Sequence, residues 1–521
     1  MAFDRVSLPR DPDRLIEIII ELQERNTHLQ GMVNALKRVV YGPRSEKLID
    51  DPGQLPLELD DVVLSEKPAA ANDDDVDRQP AKPSRPRPKA VRNIGALPKQ
   101  LPRCEVVIEP ESTVCPCCGG AMHVIGEDVS EQLDVIPAVI QVKRFRRPRY
   151  GCRSCEEAVV QAKAPPRLVE NGMATTALVT SIVVGKFAWH LPLNRQTHML
   201  RGHGIDLDRS TLVHWVLRAA WWLKPLYELL IDIVLAAPKV FCDDTPLPML
   251  DRRRRRTRTA RLWSYAIDDR PWQGPAPPAV VYIFAEDRKG QHVHEHLTGF
   301  SGVLQVDGYA GYGELTRPNR PGGAVTLAFC LAHARRQFFE IYQSSESSVA
   351  AEALRRIGAV YELEERIHGL TAAERVAVRQ AQTKPILEAF KAWLMQRLEE
   401  ESAKSNLAGA IRYTLGHWDG LTVFLTDGRV EVDTNVVERT MRAIALGRRN
   451  SLFAGSARGA EAWAILASIV NTAKLHELDP QTYLADVLEK IVSGQTKMNA
   501  LHELLPWTWK AARAAKMDAA A

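Results

Sequence analysis

The sequence predicts a multidomain α/β protein, and three observations carry that expectation. The chain has 521 residues, more than one hydrophobic core usually organises. Two tight cysteine pairs, Cys115 with Cys118 and Cys152 with Cys155, set a small module apart. From about residue 238 the pattern changes to short β-rich runs, and a long helical region follows them. The composition, 45% hydrophobic and 25% charged, is that of an ordinary globular protein. No apolar run reaches bilayer length, and MAFDRVSLPRDPDR lacks the apolar core of a secretory signal. A cytoplasmic protein with no membrane contact is therefore expected. A net charge of +4 is too small to name a partner, so the distribution of charge matters more.

Residues 1–50 read as a helix. Leu15, Ile18, Leu22, Arg25, Leu29, Met32, Leu36 and Val39 recur in steps of three and four, and all but Arg25 are apolar. The pattern suits either a coiled-coil zipper, which would make the protein a homo-oligomer, or one amphipathic helix docked on its own domain. Gly42-Pro43 stops the helix. Residues 51–103 read as a disordered, Pro-rich linker, acidic at first and basic from Arg78 to Arg103, with too little apolar surface to fold alone. Its basic half is either a phosphate-tracking segment or a solvated tether.

Residues 104–165 form the cysteine module. Each C-x2-C pair can give two thiolates to one tetrahedral ion, so Cys115, Cys118, Cys152 and Cys155 would close a structural Zn2+ site. In a reducing compartment that reading is preferred to disulfides. Cys117 could replace a neighbour as ligand, and the alternative is a set of spare thiols. Between the pairs, Lys143, Arg144, Arg146, Arg147 and Arg149 crowd around Phe145 and Tyr150, with Arg153 just beyond. Basic residues interleaved with aromatics suit a DNA backbone, and a solvated charged strand is the alternative. Residues 166–237 read as two helices around Gly202 and Gly204, the second beginning near Ser210. They are either a DNA-binding helix-turn-helix or a plain helical hairpin.

Residues 238–460 carry the chemistry, and 461–521 read as a C-terminal helical segment. Asp243 lies in VFCDDT and Asp307 in VLQVDGY, each at the end of an apolar strand. A carboxylate buried there is costly unless it is paired or holds a cation. Two such strands suggest a shared divalent ion, and oxygen ligands favour Mg2+ or Mn2+. Strand alternation lets only one of Asp243 and Asp244 face the site, and periodicity does not say which. In DTNVVERTMR, Asn435, Glu438 and Arg442 share a helix face, so Glu438 read locally is an ion pair with Arg442. A site of this kind suits phosphoryl transfer, two ions roughly 3.5–4 Å apart activating the attacking oxygen and neutralising the leaving one.

Several long motifs then agree in order with one family. LKRVVYGPRSEKL, CPCCGG…RPRYGCRSC, HLPLNRQTHMLRGHGIDLDRSTLVHWV, CDDTPLPML, LQVDGYAGY, CLAHARRQF and DTNVVERTMRAIALGRRNSLFAGS resemble successive blocks of the transposases of the insertion sequence 66 family. The resemblance covers nearly the whole chain. It implies an RNase H-like catalytic core of the DDE type with Asp243, Asp307 and Glu438 as its magnesium-binding, catalytic acids. It also implies a mobile element as substrate, so that element ends and target DNA are the partners, and accessory proteins of the same element are typical. The 438 − 307 = 131 residues between the last two acids imply a helical insertion, about 344–425. Asp244 stands where the family usually has Glu, and Thr434 and Ser451 where Asn and Trp are typical.

Further DNA contacts are expected from Arg335, Arg336, Arg442, Arg448 and Arg449. His333 is either a phosphate or metal-shell ligand or a buried structural histidine. The run Arg252–Arg256, with Arg258 and Arg261, is either a solvated hairpin tip or a backbone contact that adds affinity without reading sequence. Two functions compete: an active transposase, and a catalytically inactive, zinc-containing DNA-binding regulator derived from one.

Overall fold

The computed structural model describes residues 11, 140–151, 159–251, 254 and 256–518. The zipper helix, the linker, Cys115, Cys117, Cys118, Cys152, Cys155, Arg252, Arg253 and Arg255 lie outside those residues. The chain divides into two compact units, Met1–Leu55 with Pro148–Ala521, and Pro56–Arg147. Of the second, residues 140–147 are described, and they are exposed and without regular secondary structure.

In the larger unit a two-stranded antiparallel ladder comes first, β1 (Arg149–Gly151) with β2 (Val159–Gln161). Helices α1 (Thr176–Phe187), α2 (Leu193–Gly202) and α3 (Arg209–Leu235) follow. The last starts one residue before the expected Ser210, with Asp208 as N-cap. Its buried stripe of Leu212, Trp215, Ala219, Leu223, Leu226 and Leu230 commits one face to the core.

A mixed five-stranded sheet stands at the centre, in the order β5-β4-β3-β6-β7. β3 (Lys239–Asp251), β4 (Arg256–Ile267) and β5 (Ala279–Ala285) form an antiparallel meander. After helix α4 (Gly290–His296), β6 (Val303–Val306) returns parallel to β3, and β7 (Thr326–Phe329) lies parallel to β6. All four residues of β6 are buried, as expected of a central strand covered on both faces. The β3–β4 ladder runs as far as the pair Asp251↔Arg256.

The outer edge of β5 is closed by side chains. Ser468 Oγ accepts the Tyr282 N–H at 2.8 Å and Thr472 Oγ1 accepts the Val280 N–H at 3.1 Å. Both belong to α12 (Ala457–Leu475), which is rich in small residues and almost wholly buried. Two strand residues advance about 6.8 Å and four helical residues about 6 Å, so the spacings match and the free strand N–H groups are satisfied.

Between β7 and the last acid lies a helical region with its own core. It comprises α5 (Leu331–Ser345), α6 (Ser348–Ile367), α7 (Ala372–Val378), α8 (Lys384–Glu400), α9 (Asn406–Gly416) and α10 (Trp418–Leu421). Phe338, Ile357, Phe390, Leu394 and Ile411 are fully buried there. α11 (Asn435–Ser451) then brings the chain back to the sheet, where Ala454 bonds the backbone of Pro248 and Leu250 in β3. α12, α13 (Pro480–Val492) and α14 (Pro506–Asp518) complete the unit. No helix among the described residues is long and apolar enough to cross a membrane.

Candidate active site

The parallel register places two of the acids together. β3 and β6 pair Val240↔Leu304 and Phe241↔Gln305, and two residues further along each chain stand Asp243 and Asp307. Neighbouring strands run about 4.8 Å apart, so the two carboxylates stand side by side. Asp307 follows the end of β6 as expected, but Asp243 lies inside β3, which does not end at the acids because its pairing with β4 carries it on to Asp251. Across the β3–β4 ladder, Asp243 faces Ser264, whose Oγ lies 3.3 Å from Thr440 Oγ1 of α11. The face that carries Asp243 is thus the one α11 covers, and Glu438 lies on that helix two residues before Thr440.

The approach to α11 is held by a side chain that imitates a strand. The Gln305 amide donates to the carbonyls of Glu431 (2.6 Å) and Asp433 (2.9 Å), and its oxygen accepts the Glu431 N–H at 3.2 Å. Leu331 N–H donates to Val432 O at 3.0 Å, which ties the same segment to the start of α5. A buried polar residue in the middle of β6 would be costly without these partners. Their joint effect is to fix where α11, and hence Glu438, begins.

Electrostatics separate the adjacent acids of β3. The Asp244 side chain is 1% exposed and bonds Arg261 at 2.8 Å and Arg288 at 2.9 Å. Asp243 has no cationic partner among the described residues. Burial pushes its carboxyl up to about 7, the charges of Asp307, Asp244 and Glu438 push the same way, and the Asp244 N–H at 2.7 Å opposes them. Asp433 is likewise pushed up to about 6 by burial, with Glu431 and Glu438 adding to it. Asp307 accepts the Tyr309 N–H at 3.1 Å, and Arg288 stands 3.7 Å from its second oxygen. Gly308 follows because a Cβ there would lie 2.7 Å from Tyr413 Oη of α9, so glycine permits the helical region to close on the strand end.

Glu438 is half-buried and accepts a hydrogen bond from Thr434 Oγ1 at 3.2 Å. No ion pair joins it to Arg442, which is exposed. The site is therefore a group of carboxylates facing one another with fewer cations than charges. Such a group can hold a divalent ion through oxygen atoms.

Four family models match successive parts of the chain. The model described as "Transposase IS66 family" matches residues 171–462, and the "IS66 C-terminal element" matches residues 468–507. The "zinc-finger binding domain of transposase IS66" matches residues 112–156, and the "Transposase C of IS166 homeodomain" matches residues 28–106. The chain belongs to the IS66 transposase family. Three proteins of Sinorhizobium fredii (strain NBRC 101917 / NGR234) are similar along nearly all of it. "Uncharacterized protein y4jD" is 50% identical over 98% of this chain and 99% of its own length. "Uncharacterized protein y4hP" is 39% identical over 95% and 90%, and "Uncharacterized protein y4qI" 37% over 95% and 92%. The zinc-finger match spans the four cysteines of the two pairs, so this IS66 chain carries a zinc-finger module.

The basic residues singled out in the transposase sequence fall into two groups. Lys143, Arg144, Arg146, Arg147, Arg149, Arg336, Arg442 and Arg449 are exposed. Arg335 is half-buried with its guanidinium over the Phe339 ring, and Arg448 donates to Thr245 Oγ1 at 3.2 Å and to Pro246 O. Arg448 therefore fastens α11 to β3 immediately beyond the acids. Arg254 sits exposed at the hairpin tip, while Arg258 pairs with Glu286 at 3.0 Å. Sequence reasoning missed Arg288 and Gln305, which depend on contacts across the fold and leave no local pattern. It also passed over Cys330, although Cys330 and His333 stand one helical turn apart at the start of α5, a spacing that was legible.

Proposed function

We propose that this IS66 family member is a DDE transposase that cleaves and joins DNA strands by in-line phosphoryl transfer at Asp243, Asp307 and Glu438. The observation that carries the reading is Asp243: a buried carboxylate among other carboxylates, with no cation of its own. The strand order, three antiparallel strands followed by two parallel ones on the far side of the first, supports an RNase H-like core. The helical region between β7 and α11 is read as the insertion within it.

The donor set fits a pair of divalent ions, Mg2+ or Mn2+, because oxygen ligands, incomplete neutralisation and raised proton affinity all favour binding of a hard cation. Asp243, Asp307 and Glu438 would hold them, and when bound they activate an attacking oxygen and neutralise a leaving one. Arg288 holds Asp244 of β3 and leans on Asp307 just past β6, which ties the two strands together beside the site. The exposed guanidinium groups of Arg336, Arg442 and Arg449 bind DNA phosphates and orient the scissile one. Water as attacking group gives cleavage, and a DNA 3′-hydroxyl gives strand transfer. Outside the described residues, Cys115, Cys118, Cys152 and Cys155 are proposed to hold structural Zn2+. The amino-terminal heptads are proposed to make the homo-oligomer that brings two element ends together.

The test is cleavage and joining of DNA carrying the element's ends, with Mg2+ or Mn2+. Asp307→Ala should abolish both while end binding stays near that of the unaltered chain. Full activity in that variant would sink the site assignment.

A further inference from the structure

Beside the oxygen-only group lies a second donor set of different character. Cys330 Sγ, a ring nitrogen of His333 and a carboxylate oxygen of Glu438 all lie within 4.8 Å of one another. Cys330 is 1% exposed and occupies the N-cap of α5, and His333 follows one turn later, so both side chains reach the same side of the helix start. His333 Nδ1 is buried with no hydrogen-bond partner. A ring nitrogen of that kind is costly in a folded interior unless something else satisfies it.

The surroundings orient these donors. Thr434, 2% exposed, donates its backbone N–H to Cys330 Sγ at 3.3 Å and its hydroxyl to Glu438 Oε1 at 3.2 Å. One residue thus sets two of the three donors from behind, the arrangement by which outer residues aim metal ligands. Gln305 and Leu331 fix the segment that carries Thr434. The same three donors would be a poor choice for magnesium, which takes oxygen. One sulfur, one imidazole and one carboxylate suit zinc, and three protein ligands leave its fourth position open.

We infer that Cys330, His333 and Glu438 form a second metal site, specific for a thiophilic ion of the zinc class, that shares Glu438 with the oxygen-only site. On binding, the zinc–sulfur bond forms as the thiol proton leaves for water. Because Glu438 cannot serve both sites fully, zinc at Cys330 and His333 draws it from Asp243 and Asp307. The site makes the transposase sensitive to free zinc, and this consequence, though not the binding itself, rests on the catalytic reading given above.

Binding is measured on the full chain without DNA or magnesium, so it can fail or succeed independently of strand cleavage. Metal-depleted protein is equilibrated with buffered Zn2+, and bound metal is counted by mass spectrometry against protein concentration. The unaltered chain should take up one ion more per chain than Cys330→Ala or His333→Gln, with circular dichroism verifying that each variant folds. A reading that needs no variant is cobalt substitution. The second equivalent of Co2+ should add a sulfur-to-metal charge-transfer band about one quarter as strong as the first, one thiolate against four. Equal zinc in all three chains, or a second cobalt equivalent with no such band, overturns the proposal. In a cleavage assay with magnesium, micromolar Zn2+ should slow the unaltered chain at least about tenfold. His333→Gln, which removes a ligand and not an outer-shell partner, should need more than about 100-fold more zinc for the same fractional loss, and an unchanged zinc dependence would refute the shared-ligand claim.

Discussion

Two groups of buried charge in this protein solve the same problem in opposite ways. In the helical region Arg379 is fully buried and grips Glu364 with two bonds of 2.6 and 2.9 Å, while Arg375, also buried, grips Glu431 at 2.8 and 3.0 Å. Arg379 also donates to Phe424 O, and Arg375 to Gly428 O, so the carbonyls that end this region are satisfied too. Where β3, β6 and α11 meet, Asp243, Asp307, Glu438 and Asp433 act on one another, and Arg288, which reaches Asp307, is shared with Asp244. The first group is electrically complete, its two arginines each matched by a glutamate. The second keeps an excess of negative charge at a cost in stability, which is how a site that must accept a cation differs from one that only holds a fold. The two meet at Glu431, whose side chain belongs to the first group and whose backbone is clamped by Gln305 beside the second.

The largest effect expected is on the complete group. Glu364→Leu leaves Arg379 buried without its counter-charge, and breaking a buried pair in this way typically costs about 3–5 kcal/mol. Urea denaturation should show that loss in the midpoint at constant slope. A change below about 1 kcal/mol would mean that the carbonyls of Phe424 and Asp427 alone carry the arginine, and the contrast with the second group would weaken.

Asp243→Asn should behave in the reverse manner. Removal of a ligand ought to exceed the roughly 10–100-fold loss usual for an outer-shell partner, so cleavage should fall by at least about 100-fold. Yet the metal-free variant should melt no lower than the unaltered chain at neutral pH, since a buried and unpaired charge has gone. A variant that lost both activity and several degrees of melting temperature would show that Asp243 belongs to the structural kind of charge after all.

The contrast also has a pH signature. Without metal, Asp243 titrates at about 7 and Asp433 at about 6, both above the ordinary carboxylate value of 3.8. The native state therefore holds protons that the unfolded chain has released, and stability falls as pH rises from about 4 to about 7. The contribution is fully present below the unfolded value and gone above the folded one. Melting temperatures of metal-free protein across that window should decline. Saturating Mg2+ should flatten the decline, and Asp243→Asn should lack its own share of it.

How far the sequence anticipated this follows from the range of the interactions. Asp307 was legible because a strand that ends in an acid is a local pattern, whereas Asp243 was found by the same pattern for the wrong reason, since β3 does not end there but runs on to Asp251 to pair with β4. Glu438 was not legible, since its nearest helical neighbour Arg442 suggested an ion pair that the fold does not make. Asp244 could not be told from Asp243, because Arg261 and Arg288 reach it from another strand and a following loop. Arg375 and Arg379 carry no local sign that they are buried. Their burial is decided by Glu364 and Glu431, 11 and 56 residues away (375 − 364 and 431 − 375), which no period reveals.

The smallest effect tests whether the helical region can be loosened without touching the site. Ser347 caps α6 by accepting the Ala350 N–H at 3.3 Å, far in sequence from any acid of the second group. Ser347→Ala removes one cap and should cost about 1 kcal/mol of stability. Because the segment that aims Glu438 is held by Gln305 and Leu331 rather than by α6, the cleavage rate with saturating Mg2+ should change less than about twofold. If the rate instead fell in proportion to stability, the helical region would be setting the position of Glu438 through its own packing. Arg375 and Glu431 would then be the route, and the two groups of charge would have to be treated as one coupled unit.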